Sequence, residues 1–103
     1  MTLEEICESI VDVEEGLMLG TISFSYDNLM SAMKPGHPME ILDSILAQIY
    51  FDAINGKEPN LKTVKKVYDE LTEFKSCFKV RKLAKPIKEL AEYIKQRENE
   101  IQE

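Results

Sequence analysis

The residue types that most often carry catalysis or bind metals are scarce in this chain of 103 residues, which has one His and two Cys. A Ser/His/Asp or Cys/His arrangement would have to use His37, which stands between two turn-forming residues with nothing nearby to orient it. A zinc site would need Cys7, Cys77 and His37 gathered from three remote segments, without the closely spaced ligand pairs that build such sites. We therefore predict no metal site, interpret His37 as a turn residue and interpret the two cysteines as buried reduced thiols.

Motifs for phosphate and calcium binding are also absent from the sequence. No GxxxxGK[ST] or GxGxxG loop is present, so the usual nucleotide folds are excluded. A calcium loop with Gly56 in its sixth position would place Phe51 and Ala53 in the first and third positions, where neither supplies a side-chain oxygen. The sequence therefore predicts no cofactor and indicates no small-molecule substrate.

Paired carboxylates are the remaining route to catalysis. Glu40, Asp43 and Asp52 lie on one polar stripe of a predicted helix, and two of them could act as acid and base if the stripe faced a cleft. Such a stripe is more simply the solvent-facing edge of a helix. We therefore predict that the chain is not an enzyme, and we keep paired-carboxylate catalysis as a third hypothesis.

The charge of the chain is unevenly distributed along the sequence. The formal net charge is −6; residues 1–60 contain 11 acidic and two basic residues, which gives −9, whereas residues 61–103 contain 8 acidic and 11 basic residues, which gives +3. An acidic total disfavours non-specific binding of nucleic acid or anionic membranes by the whole molecule, although one basic face could still bind an anionic partner.

Six cations lie within fourteen residues that contain no Asp or Glu: Lys75, Lys79, Arg81, Lys82, Lys85 and Lys88. On one helix the first, second and fourth of them would follow at i, i+4 and i+7 and form a ridge. The ridge could bind a partner protein or the phosphates of a nucleic acid. It could also pair with an acidic face of the predicted first helix, in the same chain or in a second copy; that face comprises Glu4, Glu8, Asp12 and Glu15.

The spacing of the apolar residues predicts an all-α bundle that forms a single domain over residues 1–103. A Thr2–Glu5 capping box begins the first helix, and helix 39–55 is apolar around most of its circumference, which predicts that it lies at the centre of the bundle. Arg97 stands where an apolar residue is expected, so the last turns should protrude or fray. The four to five predicted helices span about 3–18, 27–33, 39–55, 61–83 and 86–102.

The segment 21–26 alternates polar and apolar residues and has two interpretations. We favour an extended linker; the alternative is a two-stranded ribbon formed with residues 77–81. Four methionines, Met18, Met30, Met33 and Met39, cluster around this region. They either fill the core or border an apolar groove that a second copy or a partner helix closes.

The sequence signals for metal binding, nucleotide binding and catalysis are absent or weak. We therefore predict the function from the candidate binding surface. We expect a small, non-catalytic protein–protein interaction or regulatory protein that acts as a homo-oligomer and binds its partner through the six cations. The alternative is a nucleic-acid-binding accessory protein that uses the same cations. The acidic start of the chain and the absence of a long apolar run predict no leader peptide and no membrane span, hence a cytoplasmic location.

Overall fold

The computed structural model describes residues 2–25 and 37–101, and these ranges form an all-helical bundle without a strand. The helices are α1 (Leu3–Leu19), α2 (Pro38–Ile54), α3 (Leu61–Phe78) and α4 (Ala84–Ile101), with a 3-10 turn at Arg81–Leu83 before α4. The predicted all-α bundle is confirmed. The predicted helix at 27–33 lies outside the described residues.

The helices begin where local capping signals predict. The Thr2 hydroxyl accepts a hydrogen bond from the Glu5 backbone N–H at 3.2 Å, and the Glu5 carboxylate accepts from the Thr2 backbone N–H at 3.2 Å, so the capping box is confirmed. Asn60 caps α3 by accepting from the Lys62 backbone N–H at 2.8 Å. Pro38 occupies the first turn of α2, where the missing N–H has no helical partner to lose.

The four helices pack in a ring, in which α1 and α3 each lie mainly against α2 and α4. Their inward faces form one continuous apolar core, and Phe74 and Phe78 are its largest fully buried side chains. In a ring of this kind no helix is central, so the position predicted for helix 39–55 is corrected. Phe51 of α2 is 71% exposed and Ile54 is 43% exposed, because α2 has an outward side as its neighbours do.

The chain reverses direction at the end of α1 around Gly16. The Gly16 carbonyl oxygen accepts hydrogen bonds from the backbone N–H groups of Gly20, Thr21 at 2.9 Å and Ile22 at 3.1 Å. Gly20 adopts the left-handed conformation with φ 76°, which ends the helix and turns the chain back. The Ile22 side chain consequently lies against Gly16, where a Cβ atom would overlap it.

The segment 21–25 continues as an extended linker along the end of α3. Its Ser25 backbone N–H donates to the Phe78 carbonyl oxygen at 2.9 Å. That single bond lies between the two segments of the alternative ribbon, but within the described residues no ladder forms. The linker interpretation therefore fits residues 21–25.

The C-terminal part of α4 is held against the bundle at Arg97. Its side chain is only 15% exposed and contacts the loop before α3. Arg97 itself therefore does not protrude, because its cation donates a hydrogen bond to a loop carbonyl. Asn99 and Glu100 beyond it are exposed and residues 102–103 lie outside the described residues, so the fraying of the last turns stays a prediction.

Candidate interaction surfaces

The six predicted cations do not form a ridge on one helix. Helix α3 ends at Phe78, and Lys79 adopts the left-handed conformation with φ 54°, so the predicted continuous helix 61–83 is interrupted. The reason lies in the core: Phe78, Val80 and Leu83 are all fully buried, and a break in the helix brings each of them inward. The i, i+4, i+7 relation between the lysines is corrected accordingly.

The cations instead surround the corner between α3 and α4, and we call them together the basic corner: Lys75, Lys79, Arg81, Lys82, Lys85 and Lys88. Lys75 is half-buried and the other five are exposed. Two shallow clefts of about 300 and 350 Å³ open between them, and the linker adds the hydroxyl groups of Thr21 and Ser23 to the wall of one. The corner thus combines positive charge with hydrogen-bonding groups.

No carboxylate neutralises this charge within the described part of the chain. The ion pairs found there join Lys65 to Glu98, Lys66 to Glu70 and Arg97 to Glu58, and none includes a member of the basic corner. The first turn of α4 has no acidic residue either, so the positive end of the helix dipole adds to the corner. Within residues 2–25 and 37–101, the basic corner therefore presents cations that are not paired with a carboxylate.

The acidic face predicted on α1 is exposed at each of its four positions, Glu4, Glu8, Asp12 and Glu15. Only Asp12 lies near the basic corner, where it lines a cleft of about 380 Å³ together with Lys82 and Lys85. No ion pair joins Asp12 to either lysine among the residues described. The two surfaces are adjacent at one edge, but they do not neutralise each other in one chain.

The carboxylates of α2 are arranged differently from the predicted acid–base pair. Asp43 and Asp52 are nine positions apart, which separates them by about 13 Å along the helix axis. Glu40 and Asp43 are exposed, and Asp52 is half-buried. The carboxyl group that lies beside Asp43 belongs to Glu14 of α1.

Glu14 and Asp43 lie in an open groove of about 380 Å³ between α1 and α2, which we call the carboxyl groove. Its remaining lining residues are mostly apolar: Val11, Leu46, Ala47, Tyr50 and Phe51. Partial burial and the adjacent Asp43 raise the pKa of Glu14 from its ordinary value of 4.5 to about 7. A fraction of the Glu14 carboxyl groups is therefore protonated near neutral pH.

One feature of the sequence, the position of Glu14, indicates this groove, although Glu14 is not among the predicted site residues. Glu14 stands beside Val13 at the edge of the apolar stripe of α1, four positions after the buried Ile10, and outside the four-residue acidic face. A carboxylate at the edge of an apolar stripe is a candidate for a shifted pKa. Its partner on α2 could not be found from the spacing, because it depends on how the two helices pack.

The cysteines and the histidine have structural positions. Cys7 and Cys77 are buried and form no disulfide, as predicted, and burial raises the pKa of the Cys7 thiol to about 11. His37 is more firmly oriented than predicted: its Nδ1 accepts from the Met39 backbone N–H at 3.0 Å, which caps α2, and its ring packs edge-on against Phe24. No group of three metal-ligating side chains occurs in residues 2–25 and 37–101.

The methionine cluster is only partly within the described ranges. Met18 is exposed at the end of α1 and Met39 is half-buried in α2, whereas Met30 and Met33 lie outside the described residues. The groove that the methionines were predicted to border therefore remains a prediction. The carboxyl groove is lined by other residues.

Comparisons with protein-family models, with curated proteins and with solved structures give no match for this chain. Among the described helices, none is long and apolar enough to cross a membrane. Any assignment of function must therefore come from the surfaces of the molecule itself. The basic corner and the carboxyl groove are the two that have a distinct chemistry.

Proposed function

We propose that this chain is a small, non-catalytic interaction or regulatory protein that binds an acidic surface of a partner protein through the basic corner. The observation that carries the proposal is the absence of any ion pair to the six cations within the described residues. Like charges held together without counter-charges repel each other, and an acidic partner removes that repulsion. The proposal includes a cytoplasmic location, which the two cysteines support because they form no disulfide.

The backbone at Lys79 supports a binding role for this corner. A non-glycine residue in the left-handed region costs about 1 kcal/mol, and Gly is the usual residue at such a helix end. The chain has Lys at this position instead, with an exposed side chain in the middle of the cation cluster. Strain retained at a surface position favours a functional explanation.

Homo-oligomerisation is part of the proposal, since the acidic face of α1 in a second copy is itself a surface of the required charge. It should appear as a native mass above that of the single chain, and it should weaken as ionic strength rises. A native mass that stays at one chain in low salt would restrict the proposal to other partner proteins.

The test compares affinity purifications from the native host with three baits. They are the wild type, Lys79→Glu/Lys82→Glu, and the control Lys62→Glu/Lys95→Glu, which makes the same charge change at exposed positions outside the basic corner. Nuclease-treated samples are quantified by mass spectrometry. We expect a set of proteins that the wild type and the control retain and that the corner variant loses by tenfold or more.

Two other results would contradict the proposal. Equal recovery of partners by all three baits, with circular dichroism showing that the variants are folded, would exclude the basic corner. Loss of the partners after nuclease treatment, together with a raised ratio of absorbance at 260 and 280 nm in low salt, would favour the nucleic-acid-binding alternative.

A further inference from the structure

The carboxyl groove is the second surface of the molecule with a defined chemistry, and the basic corner does not include it. At one end the carboxyl groups of Glu14 from α1 and Asp43 from α2 lie together in the lining of the groove. At the other end the Phe51 ring is 71% exposed, beside the exposed Ala47. The groove therefore has an acidic end and an apolar end on one continuous surface.

We propose that the carboxyl groove binds a basic amphipathic helix of a partner protein, with one Lys or Arg on the Glu14–Asp43 pair and one large apolar side chain against Phe51. Charge complementarity is the argument for a cationic occupant. Two adjacent carboxyl groups repel each other when both are ionised, and a cation between them offsets that repulsion. Removal of the apolar end from water supplies the remaining affinity.

The helical form of the occupant follows from the dimensions of the groove. Asp43 and Phe51 are eight positions apart on α2, which places the two ends of the groove about 12 Å apart along the helix axis. A helix that lies along the groove covers this distance with side chains seven or eight positions apart on one of its faces. Binding of an amphipathic helix between two helices is a common mode of peptide recognition.

A second copy of the chain fits the groove less well. The basic corner supplies cations, but its apolar residues Phe78, Val80 and Leu83 are fully buried and cannot reach Phe51 of another molecule. The exposed large apolar side chains within the described ranges are Met18, Leu19, Phe51 and Ile54. Met18 and Leu19 end α1 shortly before Thr21, which lines a cleft of the basic corner, so a second copy would have to use them for the apolar contact; sedimentation distinguishes that occupant from a partner helix.

The test uses two blocked, fluorescently labelled helical peptides on an Ala–Gln background. The first has one Lys and one Leu seven positions apart, and the second has norleucine in place of the Lys. Their Kd values are measured for the wild-type protein, for Glu14→Gln/Asp43→Asn, for Phe51→Ala, and for the control Glu4→Gln/Glu8→Gln, which removes two exposed carboxylates elsewhere on α1.

We expect the wild type and the control to bind the Lys peptide at least tenfold more tightly than the norleucine peptide. The Glu14→Gln/Asp43→Asn variant should bind both peptides equally, and Phe51→Ala should weaken both. Glu14 is faced by Asp43 and Tyr50 from α2 and adjoined by Glu15 on its own helix, and no cation is among these neighbours. A bound Lys should therefore favour ionised Glu14, and the preference for it should increase about tenfold from pH 6 to pH 8.

Three outcomes would overturn the proposal. They are equal affinity of the wild type for the two peptides, an unchanged Lys preference in Glu14→Gln/Asp43→Asn, and a wild-type dimer in sedimentation that Phe51→Ala converts to a monomer. Circular dichroism and thermal unfolding confirm that each variant is folded. The Lys79→Glu/Lys82→Glu variant should bind the Lys peptide as the wild type does, so this proposal and that for the basic corner can fail separately.

Discussion

The guanidinium group of Arg97 donates a hydrogen bond of 2.6 Å to the carbonyl oxygen of Pro59, which lies 38 residues earlier in the chain. The same side chain lies 3.9 Å from a Glu58 carboxylate oxygen and 5.8 Å from the centroid of the Tyr93 ring. Because Pro59 is buried, its carbonyl has little access to water in place of this bond. Arg97 therefore joins α4 to the loop between α2 and α3.

Replacement of Arg97 by Met should lower the free energy of unfolding by about 1–3 kcal/mol, since it leaves the buried Pro59 carbonyl without its donor. Urea denaturation followed by circular dichroism measures the change. Lys95→Met, at an exposed position two residues earlier, is the matched control and should have an effect below about 0.5 kcal/mol. Equal effects of the two substitutions would show that the contact does not stabilise the fold.

Replacement of Glu14 by Gln should change how stability depends on pH. Folding raises the pKa of Glu14 from 4.5 to about 7, so the folded protein holds more protons than the unfolded chain between these values. The free energy of unfolding should therefore fall as pH rises from about 5 to about 7, and this contribution should vanish in Glu14→Gln.

At pH 8 Glu14→Gln should be more stable than the wild type by about 1 kcal/mol, well below the full value from the pKa shift because solvent screens a partly exposed group. The measurement is urea denaturation at several pH values, with Glu4→Gln as the control at an exposed position of the same helix. Parallel pH profiles for the wild type and Glu14→Gln would contradict a raised pKa.

Replacement of Lys79 by Gly should raise the stability of the fold and weaken the binding of partner proteins. Glycine removes the cost of the left-handed backbone at φ 54°, so the free energy of unfolding should rise by about 0.5–1 kcal/mol. Recovery of partner proteins should fall, because one cation of the basic corner is lost.

The control for Lys79→Gly is Lys79→Ala, which removes the charge but keeps the free-energy cost of the left-handed backbone. It should reduce partner recovery as Gly does, without the gain in stability. If Lys79→Gly and Lys79→Ala have the same free energy of unfolding, the left-handed backbone at this position is not strained.

Replacement of Gly16 by Val should destabilise the end of α1. The new side chain would overlap Ile22, and a shift of the linker would stretch the hydrogen bonds from Thr21 and Ile22 to the Gly16 carbonyl. Overpacking of this kind costs about 1–3 kcal/mol. Glu15→Val, at the adjacent exposed position, measures the cost of Val in this helix without the overlap; equal losses for the two variants would refute the close approach.

The local features of the fold could be predicted from the sequence, because a few adjacent residues determine them. The Thr2–Glu5 capping box, the Asn60 cap and Pro38 at the start of α2 are of this kind. The end of α3 was not predicted, because no Gly or Pro marks it. Helix α3 ends there because the break allows Val80 and Leu83 to pack in the core.

The candidate surfaces were predictable to a similar extent. The composition of the basic corner follows from the sequence alone, whereas its shape depends on the break at Lys79. The Glu14–Asp43 pair and the Arg97–Pro59 bond join residues from different elements, so no local pattern contains them. Phe51 and the buried Ile49 are indistinguishable by hydrophobic type, and only the packing of α2 in the ring determines which of them meets solvent.

Helix α1 lies between α2 and α4, so the carboxyl groove runs along one of its flanks and a cleft of the basic corner along the other. The distance across a helix is about 10 Å, which three or four extended residues span. A partner chain with a basic helix followed closely by an acidic stretch could thus occupy both flanks at once. The second contact would then form at millimolar effective concentration, and two weak sites would give strong avidity.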